Sequence, residues 1–177
     1  MNISRLLQAS FGLAFLFGTA GQSLADTKPI SLFLFSPVQT SKPADSITGL
    51  RLGLIYGDNA SVTGFDWGLV NHLSGDLTGL QNSAWGQIEG NLTGIQWNFL
   101  ASIAKGNVTG IQGAIYNQAG NIEGIQMGWV NRANKVKGLQ LGVLNMTQSM
   151  NGLQIGLVNV IKQDGAFPVF PIVNWSF

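Results

Sequence analysis

One histidine, five tryptophans and a thin scatter of carboxylates are what this 177-residue chain offers to chemistry. A triad mechanism needs a Ser or Cys beside the imidazole and an acid behind it. Asp66 and Asp76 stand near His72, but no nucleophile elbow accompanies them, and "NHLSGD" reads as a loop. Asp58, Asp66 and Asp76 fall in successive early repeats. They lack the Gly-rich acidic nonapeptide of calcium-binding β-rolls, so they read as solvated surface. Glu89 and Glu123 are the only glutamates and lie more than two repeats apart, which does not suit the paired carboxylates of glycoside hydrolysis. The sequence therefore nominates no catalytic, cofactor-binding or metal-binding residue, and the expectation is not an enzyme.

Aromatic residues are the other candidates. Trp67 and Trp97 share a repeat position, and Trp129 falls two residues further along its unit. The first expectation is that they fill the core; as an exposed row they would bind glycans or membrane. Thr63, Thr78, Thr93 and Thr109 form a single column, too narrow for an ice-binding array. Asn-x-Ser/Thr strings at Asn59, Asn91, Asn107, Asn145 and Asn174 follow from the repeat's own use of Asn and Thr, so they are not read as glycan acceptors.

The elements that carry these residues come from a repeat. Glycines stand at 49, 64, 79, 94, 110, 124, 138 and 152, at spacings of 14 to 16. Two residues before each stands Ile47, Val62, Leu77, Leu92, Val108, Ile122, Val136 or Met150, and directly after each stands Leu50, Phe65, Leu80, Ile95, Ile111, Ile125, Leu139 or Leu153. Next come Gln81, Gln96, Gln112, Gln126, Gln140 and Gln154, with Arg51 and Asp66 in their place in the first two units. A column of small residues follows (Gly53, Gly68, Ser83, Asn98, Ala114, Gly128, Gly142, Gly156), and then Asn71, Asn117, Asn131, Asn145 and Asn159, interrupted by Tyr56, Gly86 and Ala101. Regular self-similarity of this kind decides architecture before local propensity does.

Within a unit "GLQLGVL" alternates with period two, the signature of a strand. "NMTQSM" and "NRANK" supply turns, and two glycines per unit disfavour helix. The expectation is an all-β parallel solenoid of about eight coils of 14–16 residues. Equivalent positions then stack roughly 4.8 Å apart. An aliphatic column becomes a continuous core, and Gln and Asn columns become amide ladders that satisfy groups otherwise costly to bury.

The flanks set the organisation. Residues 1–25 read as a signal peptide: Arg5 is the positive n-region, an apolar run extends from Phe11 to Phe17, and Ser23-Leu24-Ala25 offers small residues to a peptidase. The run is too short for a membrane-spanning helix. Residues 26–46 are an N-terminal strand and cap, 47–164 the array, and 165–177 a C-terminal cap in which Pro168 and Pro171 blunt the open sheet edge. Only 10% of residues are charged and the formal net charge is +1, with no basic stripe for nucleic acid. Cysteine is absent, which excludes disulfides and N-terminal Cys lipidation.

"SLFLFSPVQ", "SITGLRLGLIYG", the repeated "GLQxGLVN" and "FPVFPIVNWSF" together resemble a family of bacterial exported surface-repeat proteins of uncharacterised function. The likeness runs from about Pro29 to Phe177 and implies no catalytic residues. A weaker similarity is to curli subunits, whose Gln-x-Gly-x-x-Asn string fits 126–131, 140–145 and 154–159; it reads as shared ladder physics. The functional expectation is a non-enzymatic exported module, structural or binding, at the cell surface, outer membrane or periplasm. Its partner is open: self-association, a surface ligand or a membrane. The alternative is a small antiparallel outer-membrane β-barrel or pore, favoured by the terminal Phe177 and by alternation that could face Leu to lipid and Gln inward.

Overall fold

A computed structural model describes residues 25–177; the expected signal peptide, apart from Ala25, lies outside them. The described chain is all β: β1 (Thr27–Phe35), β2 (Val38–Gln39), β3 (Ser46–Asn59), β4 (Val62–Leu73), β5 (Leu77–Ile88), β6 (Leu92–Gly113), β7 (Tyr116–Ile161) and β8 (Val169–Ser176). They form one sheet in the order β2-β1-β3-β4-β5-β6-β7-β8, with the short β2 antiparallel to β1 at one end. From β1 to β7 successive strands pair in parallel, glycine on glycine: Gly49 with Gly64, Gly64 with Gly79, Gly79 with Gly94, and Gly110 with Gly124. This is a β-solenoid of about seven turns; eight marker glycines bound seven complete intervals, one fewer than a count of units. Parallel pairing rules out the antiparallel barrel as the fold. Below, coils 1 to 8 open at Gly49, Gly64, Gly79, Gly94, Gly110, Gly124, Gly138 and Gly152.

The marker glycines have φ between 129° and 146°, a region side chains with a Cβ rarely adopt. Stacking adds a second demand, since a Cβ on Gly64 would run into the carbonyl oxygen of Gly49 in the coil beneath. The small-residue column behaves differently. Its glycines keep ordinary φ values, and Ser83, Asn98 and Ala114 stand there too.

Both ends are closed. At the start, Phe33 places its ring where a Cβ of Gly53, Gly57 or Gly68 would sit, with the Arg51 guanidinium 4.7 Å from its centroid. At the finish, β8 runs antiparallel along the last coil from Gly152–Ser176 to Val160–Val169. Its register slips between Gly156 and Asn159, where Pro171 precedes Ile172 at φ 69°. Phe167 stacks on Phe170 with centroids 4.3 Å apart and meets Trp175 edge-on at 6.2 Å. These rings pack on one another and remain partly exposed.

Candidate functional site

The two aliphatic columns of the repeat part company. The one before the glycine (Ile47, Val62, Leu77, Leu92, Val108, Ile122, Val136, Met150) is buried and joins Leu73, Ile88, Ala104 and Ile161 in a continuous core. The one after the glycine faces outward, half-buried or exposed, while the polar column beside it is fully buried from Arg51 to Gln154. On this side of the coil the usual pattern is inverted, with amides inside and aliphatic and aromatic groups outside.

Ladder hydrogen bonds make the inversion tolerable. Gln96 Nε2 donates to Gln81 Oε1 at 2.8 Å, Gln112 to Gln96 at 2.9 Å, Gln126 to Gln112 at 2.9 Å, Gln140 to Gln126 at 2.7 Å and Gln154 to Gln140 at 2.7 Å. The two exceptions in the column are its cap. Gln81 donates to Asp66 Oδ2 at 2.8 Å, and Arg51 donates to Asp66 Oδ1 at 2.7 Å, both side chains having no exposure. Burial pushes the Asp66 carboxyl above its ordinary range, against the opposing pull of Arg51 and Gln81. At the far end Gln154 Oε1 has no partner among the described residues.

The Asn ladder runs the other way. Asn117 Nδ2 donates to Asn131 Oδ1 at 2.8 Å, Asn131 to Asn145 at 2.7 Å and Asn145 to Asn159 at 2.8 Å. Earlier in the column the register pairs Gly57, Asn71, Gly86 and Ser102. Gly57 and Ser102, not Tyr56 and Ala101, thus occupy it, because the register shifts at the outer corner of coils 1 and 4. Asn71, between two glycines, is buried with neither amide atom partnered among the described residues.

Outside these ladders lies an apolar face. It is built by the positions one, three, five and six after each glycine, continued by Leu32 and Leu34 on β1 and by Trp175 on β8. Along coils 1 to 8 it carries no charged residue. Trp67, Trp85, Trp97, Trp129 and Trp175 are all exposed on it, Trp129 at 67%. This corrects the expectation that tryptophan fills the core: the interior at those heights is already occupied by amide ladders. Two concavities dent the face. One of about 560 Å³ lies between Leu32, Leu34, Val38, Leu54 and Trp67. Another of about 480 Å³ lies between Asn82, Trp97, Phe99, Ile115 and Trp129.

Charges gather on the opposite edge. His72 Nδ1 is 2.8 Å from Asp58 Oδ1 and its Nε2 is 3.5 Å from Glu89 Oε1, while Lys105 Nζ is 2.6 Å from Glu89 Oε2. The acids beside His72 are therefore Asp58 and Glu89. Asp66 is internal, and Asp76 accepts from Asn91 N in a loop at 2.6 Å. Stacking decides this: Asp58 and His72 share a column one coil apart. Glu123 pairs with Lys137 at 2.6 Å. Among the described residues no group of three His, Asp or Glu side chains is placed to hold a metal ion.

No protein-family model, curated protein or solved structure matches this chain. Geometry alone singles out the apolar face as its most distinctive surface.

Proposed function

We propose that this chain is a non-enzymatic exported repeat rod, a structural or binding module of the bacterial envelope, whose working surface is the apolar face. One observation carries the reading: large apolar side chains stay exposed through all eight coils, with no charged residue standing among them. Eight coils at about 4.8 Å and a width of about six residues give roughly 600–700 Å² of projected face. Apolar patches on ordinary monomers reach about 300–600 Å². Rigid backing from two ladders and a continuous core keeps such a face presented, so the rod has the character of a docking platform. Export rests on residues 1–25, and the bacterial setting on the resemblance of the repeats.

The test is fractionation of the full-length protein expressed in a bacterium. The exported chain should begin at or within a residue or two of Asp26 and should be recovered with the envelope. A variant carrying Leu69→Lys and Val143→Lys, both exposed positions, should keep its far-UV spectrum and appear in the soluble periplasmic fraction. Retention of Met1 would refute export. An unchanged distribution of the folded face variant would refute the role of the face.

A further inference from the structure

We propose that the occupant of the apolar face is a second copy of this chain, laid antiparallel about a two-fold axis between coils 4 and 5. The inference rests on the reading of the face as the working surface and names its partner.

Two observations select this occupant. The first is size. A face of roughly 600–700 Å² approaches the about 800 Å² per partner of a standard interface. The second is shape. Two rods placed face to face and antiparallel keep each column opposite itself and set coil 4 against coil 5, coil 3 against coil 6 and coil 1 against coil 8. In the column five after the glycine, Trp129 of coil 6 then meets Ala84 of coil 3, a large side chain against a small one, and Trp129 borders the concavity of about 480 Å³. A parallel arrangement, about an axis along the rod, keeps each coil level with itself and reverses the column order, so that Trp129 no longer meets Ala84. The closed symmetry uses one patch twice.

A lipid surface fits less well. Helical interfacial binders line their polar side with Lys and Arg. Here the column bordering the face reads Thr48, Thr63, Thr78, Thr93 and Thr109 before it reaches Glu123 and Lys137.

The test uses the mature chain, which has no cysteine of its own. Sedimentation equilibrium should show a dimer at micromolar concentration. Leu54→Cys and Leu157→Cys sit on exposed side chains at opposite ends of the face. Mixed and oxidised, they should give a disulfide-linked heterodimer, while neither links to itself. Ala84→Trp should weaken the dimer at least ten-fold, and adding Trp129→Ala should restore it, a rescue that a merely destabilised fold would not show. Three results would overturn the proposal: a monomer at 100 µM, self-linking of Leu54→Cys, or a monomer that floats with phosphatidylcholine vesicles. If any of these appears while Leu69→Lys with Val143→Lys still releases the protein from the envelope, the face is a docking surface for another partner. If that variant also changes nothing, both readings fail.

Discussion

Each coil has two interiors. Beneath the charged edge it is aliphatic, with Val62, Leu77, Ile88 and their stacked equivalents excluding water. Beneath the apolar face it is an amide lattice from Arg51 to Gln154 and from Asn117 to Asn159. The first interior holds by transfer of apolar surface from water. The second holds because coils 3 to 8 repeat one Gln, and coils 5 to 8 one Asn, at the same height, so each of these buried amides meets a partner in the next coil without any special placement. A parallel array therefore frees the outer face from supplying the core, and its apolar side chains become available for binding.

The largest effect is expected where the amide interior ends in charge. Asp66→Leu leaves Arg51 buried without its carboxylate, a change typically costing about 3–5 kcal/mol. Urea denaturation should show the midpoint falling steeply. Replacing Arg51 with Met as well should recover most of the loss; a double variant as unstable as the single one would mean that the pair does more than neutralise itself.

Next comes a comparison within one coil. Leu77 has no exposure and Leu80, three residues on, is 46% exposed. Leu77→Ala should cost about 2–5 kcal/mol, and Leu80→Ala should stay near the roughly 0.5 kcal/mol of ordinary surface changes. Similar losses at both positions, measured by thermal denaturation of the monomer, would show that the two interiors are not distinct.

The ladders allow a finer cut. Gln126→Leu orphans the Gln112 acceptor and one Gln140 donor, each worth about 1–3 kcal/mol when buried and unpaired. Gln154→Leu orphans one ladder group, the Gln140 acceptor, along with the bond to Val160 O, and deletes an oxygen that lacks a partner among the described residues. The internal variant should therefore unfold at the lower urea concentration. Equal midpoints would mean that position along the ladder is immaterial.

The solenoid, the glycine corners and the Gln ladder were legible because a strict spacing can be satisfied only by stacking equal positions. Which side of "GLQLGVL" turns inward was not legible. Alternation distinguishes two faces without naming the buried one, and hydrophobicity points the wrong way where ladders hold the amides. Arg51 and Asp66 looked like breaks in a column until stacking made them an ion pair. The partners of His72 were hidden for a related reason: its neighbours are one coil away, at Asp58 and Glu89, and the acids nearer in sequence point elsewhere. Pairing at Gly57 and Ser102 needed the corner register shifts of coils 1 and 4, which counting from the glycine cannot locate.

The smallest effect belongs to the charged edge, where groups meet water. Lys105, then Gln87, hold the Glu89 carboxyl below its ordinary value of 4.5. A lowered folded-state value means that the unfolded chain binds the proton more readily, so stability falls as pH drops. The contribution is present above the ordinary glutamate range and is lost as pH falls through the lowered value. Because the pair is partly exposed, its worth is about 0–1 kcal/mol. Thermal midpoints measured from neutrality down to about pH 3, spanning the carboxylate range, should decline slightly less steeply in Lys105→Ala than in the parent. At about 1 M salt, where charges are screened beyond roughly 3 Å, the two curves should converge. A Lys105→Ala curve displaced by several kcal/mol at neutral pH would mean that this edge supports the aliphatic interior beneath it, and the separation between the two halves of the coil would no longer hold.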